Sequence, residues 1–171
     1  MIAVADSGPL IALAKLDHLR LLPVLYDQVV IPRAVFDEVV TIGLRRGYPD
    51  ARGADVFLRR MKWRPEAALD VLPELGSDVR LGLGEREALT LAKAHSALVL
   101  MDEDYGRAIA DQLGLAHVGT LGILIASFRR GLLSADALDD LLVSIESRDD
   151  IWIHPELCGR VRREVLGKWQ P

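Results

Sequence analysis

The 171 residues contain one cysteine, Cys158, which leaves no partner for an intrachain disulfide and too few thiolates for a Cys-based zinc site. A reducing compartment, the cytoplasm, is the expected setting. Aromatic residues are scarce at 5%, and neither the three Trp nor the glycines at 82 and 84 compose a recognisable base-stacking platform or phosphate-cradling loop. Nowhere do roughly 18 apolar residues run uninterrupted, so no membrane span is expected. The chain meets Asp6 after a short apolar run, without the basic leader of a targeting segment. Positive charge is not in excess either: 21 Lys and Arg against 25 Asp and Glu give a net charge of −4. Taken as a whole-chain measure, that weighs against a polyanionic partner.

What is present is enough for a core. Half of the residues are hydrophobic, and no internal repeat, low-complexity tract or linker interrupts the chain, so residues 1–171 read as one domain. The cations are grouped: Arg45 and Arg46, then Arg52, Arg59, Arg60, Lys62 and Arg64, with later groups at 129–130 and 160–163. The first groups, Arg45, Arg46, Arg59 and Arg60 in particular, are candidates for an RNA-binding face. Taken alone, solvated helix faces are the simpler explanation of them.

Hydrophobic patterning alternates short strands with helices. Apolar runs at Ile2–Ala5, Gln28–Ile31, Ala97–Met101 and Ala116–Val118 read as strands, and so does a short run at Ile151–Ile153. Helical spacing is found over 10–25 in two pieces around Asp17, after Pro32, over 50–63, 85–95, 105–113 and 120–130, and in a less diagnostic region from about 134 onward. Pro65 to Gly84 reads as loop. This alternation predicts an α/β fold, a three-layer α/β/α sandwich with a central, mostly parallel sheet.

In open α/β sheets the ligand site lies beyond the carboxyl ends of the strands. Asp6 ends the first strand and Asp102 the Leu98–Met101 run. Each could also simply cap the helix that follows. At 100° per residue Glu38 falls beside the Val35, Val39 and Ile42 stripe while Asp37 points to water, and Glu85 lines up with Ala88 and Ala92 while Arg86 points away. Glu85 also suits the positive end of a helix dipole. As a set, three or four carboxylates on one side of a sheet repel, and a hard cation such as Mg²⁺ or Mn²⁺ between them accounts for the cluster. Asp104 is open to two readings, a further metal ligand or the cap of a helix from Tyr105. Ser7 and Thr120 are likewise helix caps or hydroxyl donors to water or phosphate.

The blocks VADSGPLIALAKL, IPRAVFDEV, GLGEREALTLA, LVLMDEDYGRAIADQLGL and HVGTLGIL, in that order over Ile2 to about Arg130, resemble the PIN-domain nucleases, most closely the small prokaryotic proteins that include VapC-type toxins. The resemblance implies a PIN-like sandwich whose Asp6, Glu38, Glu85 and Asp102 take the places of the family's acidic residues, bind one or two Mg²⁺ or Mn²⁺ ions and cleave RNA. It also implies a toxin role, an antitoxin partner and a homodimer. One departure is Glu85, since many members carry aspartate there, and its longer side chain leaves room for ligation through water.

The expected reaction is hydrolysis of an RNA phosphodiester, with Asp6 and Asp102 as the main metal ligands and Glu38 and Glu85 positioning metal or water; two ions would stand roughly 3.5 to 4 Å apart. The four histidines are scattered and are not needed as a base. An aspartyl-phosphate enzyme fits less well, because Ser7-Gly8-Pro9 supplies no second acid beside Asp6. A catalytically silent module that keeps the fold and binds RNA or protein is the other alternative.

Overall fold

The computed structural model describes residues 1–76 and 78–167; Ser77 and residues 168–171, the end of the span read as one domain, lie outside the described residues. Strand β1 (Ile2–Ala5) is followed by α1 (Ser7–Lys15), a 3₁₀ turn at Leu19–Leu21, α2 (Leu22–Leu25) and β2 (Gln28–Pro32). Asp17, at φ 57°, breaks the first helical segment where the sequence suggested two pieces. Next, α3 (Arg33–Phe36) continues through a wide π-helical stretch (Asp37–Ile42) into α4 (Gly43–Arg45), and α5 (Pro49–Met61) leads to β3 (Pro65–Glu66). The second half holds α6 (Pro73–Gly76), α7 (Leu83–His95), β4 (Leu98–Leu100), α8 (Asp104–Gln112), β5 (His117–Val118), α9 (Thr120–Arg129), α10 (Ala135–Glu146) and α11 (Pro155–Val161), which ends in a π-helical turn at Arg162–Leu166.

The strands form a sheet of order β3-β2-β1-β4-β5, and every pairing is parallel. Side chains alternate across it with the period of two that a strand imposes. Ala3, Ala5, Val29, Ile31 and Leu100 face a core shared with α1, α5, α9 and α10, whereas Val4, Val30 and Val99 face a core shared with α7 and α8. The result is the expected three-layer α/β/α sandwich. Near-continuous apolar strands are what burial on both faces requires.

Two expectations need correction. Ile151–Ile153 forms no strand: Ile151 is buried, Trp152 projects into solvent and Ile153 turns back, its N–H bonding to the Ile151 carbonyl. Conversely, Pro65 and Glu66 carry no apolar alternation and suggest loop, yet the pairing of Ile31 with Pro65 and Pro32 with Glu66 makes β3 a strand at the sheet edge, where proline is tolerated. Among the described residues no helix is long and apolar enough to cross a membrane.

The sheet order positions the site. From β1 the chain moves outward to β2 on one side, and from β4 to β5 on the other, so the crevice between the carboxyl ends of β1 and β4 is the topological switch point where such sheets bind ligands.

Candidate active site

Asp6 and Asp102 flank that crevice. The Asp6 N–H donates to the Leu100 carbonyl at 2.9 Å, extending the β1–β4 ladder by one residue and bringing the two strand ends level. Asp6 is only 4% exposed, and its Oδ1 is buried without a hydrogen-bond partner. Its carboxyl is pushed up to about 7, chiefly by loss of solvation, with the negative charges of Glu85, Glu38 and Asp102 adding to the rise and the Ser7 backbone opposing it. An unpaired buried oxygen of this kind costs free energy unless something meets it.

Asp102 is held differently. The Thr120 N–H donates to its Oδ1 at 2.7 Å and the Thr120 hydroxyl to its Oδ2 at 2.6 Å. Thr120 is fully buried and opens α9 without capping it; Gly119 occupies the cap position. The reading of Thr120 as a helix cap is therefore replaced by a clamp on Asp102. A Cβ on Gly119 would lie 2.6 Å from Asp102 Oδ1, so the backbone needs glycine there to bring the clamp in. Burial raises the Asp102 carboxyl, against the lowering by Thr120 and Arg107.

Glu85 enters from the first turn of α7. Its Oε2 accepts the Gly82 N–H at 2.7 Å, so the first-turn capping role is real, yet its Oε1 is buried and unpartnered. Burial raises this carboxyl as well; the Gly82 N–H opposes the shift, Glu103 and Glu38 add to it, and Arg86 also opposes it. Ala88 and Ala92, in phase with Glu85, are completely buried as the projection requires. Arg86 does not point away into water: it donates to the carbonyls of Gly76 and Asp78, fastening the preceding loop.

Glu38 comes from the π-helical stretch after β2. The projection assumes a regular α-helix, and the widened turn alters the phase: Glu38 is exposed and Asp37 is partly covered, bonded to Arg33 and Thr41. The Glu38 carboxylate nevertheless reaches the crevice. A Cβ on Gly84 would stand 3.6 Å from both Glu38 Oε2 and Asp6 Oδ1, so the two oxygens are no more than twice that distance apart. Gly84 lets α7 pack close to α3, and Glu87 locks the approach by accepting the Ala34 N–H at 2.8 Å. A π-helical turn inside a helix is a frequent mark of functional positions.

The remaining candidates are placed less centrally. Asp104 begins α8, with Glu103 at the cap position and no side-chain cap bond; its side chain is fully exposed and only 3.8 Å from Arg107. It does not cap a helix from Tyr105. Ser7 occupies the first turn of α1 beside Asp6. Arg45 and Arg46 lie at the end of α4, and Arg59 and Arg60 at the far end of α5, so most of that helix, about 15 Å, separates the pairs. Arg59 is already engaged by Asp55 at 2.8 Å. Residue patterning missed Glu103 and Arg107, which act electrostatically on Glu85 and Asp102; the MDEDYGR run was their signal.

The donor set is all oxygen, includes two buried atoms without partners, and holds two carboxyls, Asp6 and Glu85, whose proton affinity neighbouring carboxylates raise further. Those are properties a hard divalent cation relieves. Among the described residues, no three His, Cys, Asp or Glu side chains already stand close enough together to hold a metal ion. Side-chain rotation at Glu38, which is exposed, is the simplest way to tighten the group.

No curated protein matches the chain. A family model described as a PIN domain matches residues 2–166, and with acidic residues gathered at the switch point of an all-parallel α/β/α sandwich, the chain belongs to the PIN-domain family, a nuclease-type fold.

Proposed function

We propose that the protein is a Mg²⁺- or Mn²⁺-dependent endoribonuclease, cytoplasmic, acting as the toxin of a toxin–antitoxin pair. The observation that carries this reading is the buried, unpartnered Asp6 Oδ1, set among three further carboxylates that raise its proton affinity. Asp6 and Asp102 would hold the cation, Glu85 through its free Oε1 and Glu38 by swinging inward, with one or two ions accommodated. The ion supplies a bound water of lowered pKa and offsets charge on the phosphoryl oxygens. Thr120 fixes both Asp102 oxygens, and Ser7 would offer its hydroxyl to water or phosphate. Asp104 is left outside this ligand set. Arg45, Arg46, Arg59 and Arg60 would contact RNA phosphates as two separate cationic points, which is how a chain of net charge −4 can still hold a polyanion.

The test is cleavage of varied single-stranded RNAs by purified protein in Mg²⁺ or Mn²⁺, with DNA of equal sequence alongside. Asp6→Asn and Asp102→Asn should each lower cleavage at least about 100-fold, the scale of losing electrostatic stabilisation at a reacting centre. Inert wild type, or cleavage that survives both substitutions, overturns the reading. Growth arrest on expression that Asp6→Asn abolishes, and its relief by a protein encoded beside the gene, test the toxin role. A catalytically silent PIN module is the second reading, favoured by the spacing of the carboxylates, and it predicts RNA or protein binding without cleavage.

A further inference from the structure

A groove of about 700 Å³ is lined by Asp102, by Arg107 of α8, by the Val118–Leu121 turn, and by Trp152 and Leu157 in and after the segment that leads into α11. Its size lies within the range of small-molecule sites, roughly 300 to 1,000 Å³. Two features of its walls have no role in the fold. Trp152 is 91% exposed, although a large apolar ring left in water gains nothing unless something covers it. Arg107 is near enough to lower the proton affinity of Asp102, and its ion pair is a 3.8 Å contact with a fully exposed Asp104, an interaction of little strength that a better anion displaces.

We propose that this groove is a nucleotide subsite for single-stranded RNA, in which Arg107 holds the phosphate next to the one at Asp102 and Trp152 stacks the base that follows. The inference rests on the nuclease reading above and adds the residues that hold the neighbouring nucleotide. The groove brings to one surface the three groups such a strand needs: a carboxylate at Asp102, a cation at Arg107 and an exposed indole at Trp152. A base must be unstacked to lie on an aromatic side chain, which selects single strands over duplex. A protein partner fits less well, because the groove holds Asp102, Glu103, Asp104 and Arg107 whereas the core of a protein interface is depleted in charge. The C-terminal region beyond 134, which carries none of the motif blocks, thereby gains a part in substrate binding.

The experiment is fluorescence anisotropy of a labelled single-stranded RNA of about a dozen mixed nucleotides with the full-length protein, in Ca²⁺, with RNA integrity checked on gels. Trp152→Ala should weaken binding by about 5- to 100-fold and Trp152→Phe by much less, as expected for a lost base–aromatic stack. Arg107→Gln should weaken binding and reduce the slope of log K against log salt by about 0.7. Because Trp152 lies outside the core, melting temperatures should be unchanged. Unaltered affinity and salt slope in these variants overturn the subsite, while cleavage in Mg²⁺ that still depends on Asp6 leaves the nuclease reading standing. Self-association that Trp152→Ala abolishes, with RNA affinity intact, also overturns it and marks the face as a contact between copies. Wild type that binds no RNA overturns the subsite as well, and the nuclease reading falls too only if cleavage is absent.

Discussion

Burial keeps the Asp6 carboxyl protonated up to about pH 7, against 3.8 for the group in water. The folded state therefore binds more protons than the unfolded chain between those values, and its stability falls as pH rises through them. Asp6→Asn removes the titration. In metal-free buffer the variant should be more stable than wild type at pH 8, on the order of 4 kcal/mol, and the two should converge near pH 4; denaturant unfolding at several pH values reads this out. Added Mn²⁺ should reverse the order by stabilising wild type alone. A wild type equally stable across that pH range relative to the variant would remove the electrostatic account of Asp6. The positions of Asp6 and Asp102 were legible because strand ends are visible in apolar runs. The Thr120 clamp was not, since it depends on β5 lying beside β4, and nothing local to Thr120 distinguishes a helix cap from a donor to a residue 18 positions earlier.

Helices in this protein are set by how closely their small residues let them approach the sheet and one another. Gly106 in α8 faces Met101 and Glu85: a Cβ there would stand 2.8 Å from Glu85 Oε1 and closer still to the Met101 sulfur. Gly53, exposed in the middle of α5, has nothing within 4 Å. The same substitution should therefore act with opposite sign. Gly53→Ala should stabilise by about 0.5 to 1 kcal/mol through helix propensity. Gly106→Ala should destabilise by about 1 to 3 kcal/mol through overpacking, and reduce the stabilisation by Mn²⁺ because Glu85 is displaced. Thermal melts of both variants with and without Mn²⁺ give the comparison, and equal effects would sink it. At this scale the long periodic helices and the β1, β2 and β4 runs were readable from sequence. The two-residue β3 and the π-helical stretch at Glu38 were not: the first has no room for a period, and the second changes the period itself.

Across the whole molecule, we take residues 1–171 as one cooperative unit. Leu138, Leu142 and Ile145 of α10 are each no more than 1% exposed and share a core with Leu10, Leu13 and Ile123. At about 1.5 to 3 kcal/mol for each buried side chain, losing the three would remove an amount comparable with the entire stability of a typical domain, about 5 to 15 kcal/mol. A chain ending at Leu133 should therefore fail to fold, and the full chain should melt in one transition by calorimetry; two transitions, or a folded truncation, would show the C-terminal region to be separate.

The adjacency of β1 and β4 has a consequence in time. Asp6 is made early, but its neighbour across the crevice follows 96 residues later, and the clamp that orients that neighbour later still, at Thr120. Contacts of such sequence separation form only after the intervening chain can close on itself. During synthesis the first strand thus waits with a lone carboxylate, and the acidic crevice cannot assemble on the growing chain until β4, β5 and the start of α9 have all emerged.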